Sequence, residues 1–322
     1  VNDIRWFAPN AYTSLLTGEL RKRGLSIARE GDEPARLALS MSGITAVAAW
    51  RYARRTGCPL VLYIWDLPPQ ATGTGSYDWV WSIGTLLLRI PRLAGGFSRR
   101  RGYYSRLRYV AAAATEVWVP SGFSGELVHR RFGVSARRVP YCYDSERFRP
   151  GSDARESTPT LLTVGRLKAH KNHAATIRAA GLIGPGVQVV LIGRGPEAPA
   201  LQRLAQSLGV RCRVDTEADD AAVVRAYHRA RVAVCPSRFE GLGLTPVEGI
   251  ASGTPVVASD IPPHREFVAS AARLVPPEDD VALVQAIQEA LDDDPPNPAS
   301  VRELTIPAAA DRFLASLRPL LF

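Results

Sequence analysis

Cysteine, methionine and histidine are all scarce, at four, one and five in 322 residues. The cysteines (Cys58, Cys142, Cys212 and Cys235) lie far apart, with no Cys-x-x-Cys and no metal-ligand spacing. That argues against a disulfide scaffold or a zinc site, and favours buried thiols in a reducing compartment. Long apolar runs are missing too. Nothing approaches the roughly 20 uncharged residues of a membrane span, and residues 37–50, the longest candidate, are interrupted by serines and Gly43. Such a run reads better as a strand leading into a buried helix. Residues 1–5 lack the apolar core of a signal peptide, so the expected location is cytoplasmic.

Acidic residues are unevenly distributed. Up to residue 150 there are 22 Lys and Arg against 11 Asp and Glu, a net of +11; beyond it 18 basic residues face 20 acidic ones, a net of −2. Whatever partner this charge serves belongs to the first half. Residues 79–108 hold no acid at all. Trp79, Trp81, Leu86, Leu87, Leu88 and Ile90 share that stretch with Arg89, Arg92, Arg99, Arg100, Arg101, Arg106 and Arg108. Interfacial Trp and Leu beside Arg fit peripheral docking on an anionic membrane surface. They equally fit an ordinary helix with an apolar core face and a solvated Arg face. A basic nucleic-acid-binding module is the other class that such a half brings to mind. No reader motif or aromatic stacking platform accompanies the charge, and no nucleic-acid partner is expected.

What the second half does contain is alternation. β-rich apolar runs at residues 160–164, 187–192, 211–214, 232–235, 255–258 and 273–275 are separated by helix-like stretches at 172–182, 196–207, 219–230, 246–251 and 262–268. This is the pattern of a parallel sheet with helices on both faces. Near-continuous apolar strands such as Val189-Val190-Leu191-Ile192 agree with burial on both sides. The first half repeats the plan more roughly, with strands at 4–8, 25–28, 60–65 and 117–119 and helices at 14–23, 42–54 and 124–131; from 68 to 108 the periodicity fails. The turn-forming Arg149-Pro150-Gly151-Ser152-Asp153 marks a boundary. The expectation is therefore an α/β protein of two Rossmann-like domains, at 1–150 and 151–300, followed by a C-terminal helix in 301–322. Phe313, Leu314, Leu317, Leu320 and Leu321 give that helix an apolar face at helical spacing.

In such sheets, ligands bind at the carboxyl ends of strands, and anions favour helix N-termini. Two loops at those ends carry unusual residues. In Gly165-Arg166-Leu167-Lys168-Ala169-His170-Lys171, Arg166 leaves a strand and Lys171 stands where the next helix begins. Two cations there make a diphosphate site without a metal ion, or they are solvated charges flanking a turn. In Glu240-Gly241-Leu242-Gly243-Leu244-Thr245-Pro246-Val247-Glu248, the glycines let the backbone approach a ligand closely. Thr245 fits an N-cap with Pro246 at the first helical position, and Glu248 three residues later completes a capping box that needs no ligand. Glu240 serves no obvious cap, and its carboxylate can accept hydrogen bonds from sugar hydroxyls.

These pieces bring a family into view. The second half resembles the donor-binding domain of retaining glycosyltransferases of the GT-B fold, family 4 type. The matching pieces cover nearly all of residues 160–275: Gly165-Arg166 with Lys171, Gly193-Arg194-Gly195-Pro196, Tyr227, Pro236-Ser237, Glu240 and Glu248 with seven residues between them, Gly253 to Asp260, and Glu266. The resemblance implies two domains facing across a cleft, with the C-terminal helix returning to the first. It implies transfer of a sugar from a UDP or GDP sugar, as co-substrate, to an acceptor hydroxyl, with no other cofactor. Arg166 and Lys171 would bind the diphosphate and offset charge on the leaving group. Glu240 would contact the sugar and Glu248 the ribose, and the amides of Gly243, Leu244 and Thr245 would support the phosphates. Gly193 and Arg194 would lie at the rim near the nucleoside. The acceptor would be a glycan, a lipid-linked sugar or a small molecule. A nucleotide-sugar hydrolase or epimerase on the same fold is the alternative. The Asp-x-Asp string at Asp292 and Asp294 sits among acids and prolines and reads as a solvated turn, so no metal is expected.

The first half departs from that family. Its first loop, Ala8-Pro9-Asn10-Ala11-Tyr12-Thr13, lacks the family's paired glycines and leaves Asn10 and Thr13 as the available donors. Where many members carry a His after the strand ending near residue 64, this chain has Trp65 and Asp66. Trp65 is either a sugar-stacking ring or a core aromatic, and either the sugar lacks the usual hydroxyl or Asp66 takes over the histidine's contact.

Overall fold

The computed structural model of the protein describes residues 2–7, 12–28, 34–65, 67 and 95–321, and of residues 12, 13 and 95–102 the backbone alone. The chain forms two compact units, one of Val1–Tyr141 with Ile306–Phe322 and the other of Cys142–Thr305.

The first unit contains a six-stranded sheet of β1 (Asn2–Phe7), β2 (Ile27–Ala28), β3 (Ala35–Ser40), β4 (Leu60–Tyr63), β5 (Glu116–Val119) and β6 (Arg137–Arg138). All pairs are parallel and the order is β2-β1-β3-β4-β5-β6. Helices α1 (Tyr12–Lys22), α2 (Ala46–Thr56), α3 (Gly95–Ala113) and α4 (Gly122–Phe132) connect the strands. Helix α2 buries Ala46, Ala49 and Ala53, small residues that bring its axis close to its neighbours, and ends at Gly57 in the left-handed region, φ 73°. Helix α4 opens at Ser121, whose side chain accepts from the Ser124 N–H at 3.1 Å. The edge strand β6 is two exposed arginines, which discourage pairing with another chain. Arg137 there grips Glu116 with two hydrogen bonds of 2.9 Å.

Sequence periodicity fails through residues 68–108, yet the backbone is helical from Gly95. The helical signal is confined to a narrow stripe: Leu107, Val110 and Ala111 are buried while Arg106, Arg108 and Tyr109 are exposed. Over this part of α3 the core-face, solvated-Arg reading describes the side chains.

The chain's last helix, which belongs to this unit, is Ile306–Leu321. Its Phe313 is fully buried in a cluster of rings from the strands, 6.0 Å from Tyr63, 5.5 Å from Trp118, 6.1 Å from Tyr141 and 6.4 Å from Trp6. Asp311 on the same helix pairs with Arg23 at the end of α1.

The second unit holds β7 (Thr160–Val164), β8 (Gln188–Ile192), β9 (Cys212–Asp215), β10 (Val232–Cys235), β11 (Val256–Ser259) and β12 (Arg273–Val275), all parallel, in the order β12-β11-β10-β7-β8-β9. Its helices include His173–Ile183, Ala198–Ser207, Asp220–Arg229, Leu244–Ala251, Pro262–Phe267 and Asp280–Ala290. β10 is buried along its whole length and so is β11, as expected of strands covered on both faces. The strand order reverses between β7 and β10. In a doubly wound sheet that switch point opens a crevice at the strands' carboxyl ends.

Candidate functional site

The two loops singled out in the sequence leave β7 and β10, so they meet at the switch point of the second sheet. After β7 the chain passes through Gly165 (φ 137°) and Arg166 into a short 3-10 turn, Ala169–Lys171, and then into the His173–Ile183 helix. The bend is supported by its neighbour. The Gly165 N–H donates to the Ile192 carbonyl at 2.9 Å, and the Leu167 N–H to the Arg194 carbonyl at 2.9 Å. A side chain on Gly193 would stand 1.9 Å from the Gly165 oxygen, and one on Gly195 would stand 2.2 Å from the Leu167 oxygen. The glycines around Arg194 are thus explained by two loops lying against each other. The Arg194 guanidinium itself donates to the Thr216 carbonyl at 2.9 Å and pairs with Glu217 at 3.0 Å, in solvent.

Lys171 and Glu240 come together. The Lys171 ammonium donates to the Glu240 carboxylate at 2.5 Å, with side chains only 15% and 11% exposed. Burial alone would push the Glu240 carboxyl up. The Lys171 charge and hydrogen bond, with a hydrogen bond from Ser237, outweigh it and hold the pKa below the ordinary carboxylate value. The Arg166 guanidinium is exposed and has no ion pair among the described residues.

The helix after the glycines begins two residues earlier than its sequence predicts. It runs Leu244–Ala251, with Gly243 as N-cap at φ 87°. Thr245 and Pro246 are therefore the second and third helical residues, and no side chain caps this end. The left-handed glycine provides the entry that the capping-box reading assigned to Thr245. Glu248 does not return to the helix start either. It is 4% exposed and accepts a hydrogen bond from the Tyr227 hydroxyl at 3.4 Å. Burial pushes its pKa up to about 8 despite that bond. A carboxyl in that state can donate as well as accept.

Two buried histidines, neither marked out by any sequence pattern, support these loops. His173 donates from Nε2 to the Arg166 carbonyl at 3.1 Å, and burial lowers its pKa to about 4. His264 donates from Nδ1 to the Ser259 carbonyl at 2.7 Å, and burial lowers its pKa as well. A carbonyl can only accept, so each of those nitrogens carries the proton of a neutral ring. The His264 ring lies under Gly243, where a β-carbon would approach it to 2.8 Å. Its signal in sequence was only a histidine on a short helix; its place under a loop twenty residues away is tertiary.

Trp65 is a member of the first unit's aromatic cluster. Its ring centroid is 4.7 Å from that of Tyr141, and its indole N–H donates to the Met41 carbonyl. Asn10, Asp66, Trp79 and Trp81 lie outside the described residues, as do the side chains of Thr13, Arg99, Arg100 and Arg101. In the Asp292–Asp294 string, Asp293 binds Arg273 through two hydrogen bonds, of 2.7 and 2.8 Å.

Two parallel Rossmann-like units, with a cation and a carboxylate paired at the second sheet's switch point, define the class of protein as GT-B. Solved structures agree over the whole chain. Sucrose-phosphate synthase from Thermosynechococcus elongatus superposes with a TM-score of 0.69, 20% sequence identity, and coverage of 99% of this chain and 93% of that one. HepE of Anabaena, in complex with UDP and glucose, does so with a TM-score of 0.68 at 16% identity, covering 99% and 89%.

The chain belongs to the family of glycosyl transferases group 1, whose model matches residues 144–305. Among curated relatives it is similar to the O-antigen chain mannosyltransferase RfbU of Salmonella typhimurium, 27% identical over 164 residues, which are 50% of this chain and 46% of that protein. The chain thus spans less than half the length of that relative.

Proposed function

We propose that this chain is a configuration-retaining, metal-independent glycosyltransferase that moves a sugar from a nucleoside-diphosphate sugar to an acceptor hydroxyl. The observation that carries the reading is the buried Lys171–Glu240 pair at the sheet's switch point, beside a helix whose first amides are free of any side-chain cap. The N–H groups of Gly243, Leu244 and Thr245 donate hydrogen bonds to a phosphate of the nucleotide sugar there, where the helix dipole favours negative charge. Arg166 supplies a second, uncommitted cation, and Lys171 and Arg166 together offset the charge that grows on the departing diphosphate. Glu240, kept ionised, accepts hydrogen bonds from sugar hydroxyls. Glu248, mostly neutral at pH 7, gives and takes hydrogen bonds with the ribose. In this reading the leaving phosphate assists deprotonation of the acceptor, and no protein nucleophile is needed.

A nucleotide-sugar donor is supported by HepE's complex with UDP and glucose. A glycan acceptor is supported by the likeness to an O-antigen chain mannosyltransferase, and a membrane-proximal, lipid-linked one by the basic first half. The test is a thermal-shift screen against nucleoside diphosphates and their sugars, followed by transfer assays with the donor that binds. Lys171→Ala and Glu240→Ala are expected to lower transfer by at least about 100-fold while leaving far-ultraviolet dichroism unchanged. Normal turnover by either variant defeats the assignment, and product formed without any acceptor replaces it with hydrolysis. The membrane part is tested separately, since failure to co-sediment with anionic vesicles at low salt rejects it.

A further inference from the structure

One residue ties the loop after β10 to the loop after β7, and none of the roles above uses it. The Arg238 backbone N–H donates to the His170 carbonyl at 2.7 Å, and its guanidinium Nη1 donates to the Ala169 carbonyl at 2.6 Å. Two successive carbonyls of the turn that delivers Lys171 are therefore held by a single residue, two positions before Glu240. The guanidinium's Nε is bound in turn to the Glu278 carboxylate at 2.5 Å, on the turn after β12.

The backbone is unusual at both ends of this linkage. Among the described residues only Asn172 and Glu278 are non-glycines with positive φ, at 54° and 67°. Asn172 immediately follows Lys171, and Glu278 is Arg238's counter-ion. Left-handed backbone at non-glycine residues persists where surrounding contacts over-determine it, and here the contacts are the turn and the clamp on it.

As a surface ion pair, Arg238–Glu278 alone would count for little, since its side chains are 42% and 63% exposed. Its consequence comes from geometry. A lysine stem has four carbon–carbon torsions, so the place of its ammonium is fixed only if the backbone carrying it is fixed. Arg238's planar fork holds a carbonyl and a carboxylate at once, which a lysine's point charge does not reproduce.

We propose that Arg238, with Glu278 as its anchor, is a positioning residue that sets Lys171 opposite Glu240 and so at the donor diphosphate. This rests on the reading of Lys171 as a diphosphate ligand. The experiment measures UDP and GDP affinity by calorimetry on the full chain, with backbone amide exchange of Lys171 and Asn172 as a readout that needs no ligand. Arg238→Ala is expected to weaken nucleotide binding about tenfold, Glu278→Ala about threefold and Arg238→Lys by an intermediate factor. In a Lys171→Ala background, Arg238→Ala should add less than about twofold, because the residue acts through the lysine. Exchange at Lys171 and Asn172 should speed up in Arg238→Ala while the β7 and β10 amides stay protected.

Unchanged exchange at those two amides overturns the proposal, and so does an additive loss in the Lys171→Ala background, which would mean Arg238 meets the ligand directly. Should Arg238→Ala fail to fold, Glu278→Ala, which removes only a solvent-exposed anchor, carries the same two tests. Wild-type protein that binds neither nucleotide refutes the functional reading, and the exchange result then decides the clamp by itself.

Discussion

The two sheets are alike in strand number and direction, yet they use charge in opposite ways. In the first unit the described arginines lie mostly outside: Arg106 and Arg108 are exposed on α3, and Arg137 and Arg138 make up an exposed edge strand. Its interior is built of rings around Phe313. In the second unit ionisable groups lie inside, among them the Lys171–Glu240 pair and the carboxyl of Glu248. The physical difference is where each sheet's order reverses and what the loops there carry. A sheet whose switch-point loops present a lysine and a carboxylate must pair them or exclude their charge, because burial is costly for either ion alone. Both units are built on apolar cores, and the second adds to its core, at the switch point, partners of opposite sign.

That contrast can be broken most directly at its extremes. Lys171→Ala leaves the largely buried Glu240 carboxylate without its ion. Removing one member of a fully buried pair costs about 3–5 kcal/mol, and with side chains 15% and 11% exposed the loss should fall towards the lower end. Urea denaturation should show that loss, and the double variant Lys171→Ala/Glu240→Ala should recover part of it. A loss no larger in the single variant than in the double one would mean that Glu240 finds another partner. Phe313→Ala is the counterpart in the first unit. It empties the centre of the ring cluster at a cost of about 3–5 kcal/mol, little affected by salt or pH, since no charge is uncovered. If its effect depends strongly on pH, the contrast between the ring cluster and the ionic switch point fails.

A pH dependence sharpens the comparison. The Glu248 pKa is raised from 4.5 to about 8, so between those values the folded protein binds a proton that the unfolded chain has lost. Stability therefore falls as pH rises through that window, by at most about 1.4 kcal/mol per pH unit from this one group. Glu248→Gln should flatten the decline in melting temperature between pH 5 and 8. An equally steep decline in that variant would assign the slope to other groups.

Much of the second unit was legible in the amino-acid order. Each of its strands lies within a residue or two of an apolar run, and the loops carrying Arg166, Lys171 and Glu240 were visible from glycines and charges at strand ends. The start of the Leu244–Ala251 helix was not, because its N-cap is a left-handed glycine rather than a side chain that pattern rules can detect. Helix α3 was obscured for another reason: its described apolar stripe is narrow, and arginines, glycines and serines interrupt the pattern around it. The two-residue β6 is too short and too charged to read as a strand at all.

The sequence by itself determined the alternation that makes two parallel sheets, because burial on both faces demands uninterrupted apolar strands and leaves polar residues to the loops. It also marked the two loops, after β7 and β10, whose charged residues the fold brings together. Only the tertiary structure decided how those residues act on one another. Glu248 proved to be a buried, mostly neutral carboxyl rather than half of a capping box, because Tyr227 and the neighbouring helices close over it. Lys171 met Glu240 across 69 residues of sequence, and His264 came to lie under Gly243. Local patterns record the preferences of neighbours along the chain; the pKa of a carboxyl and the partner of a lysine depend on what folding brings near them in space.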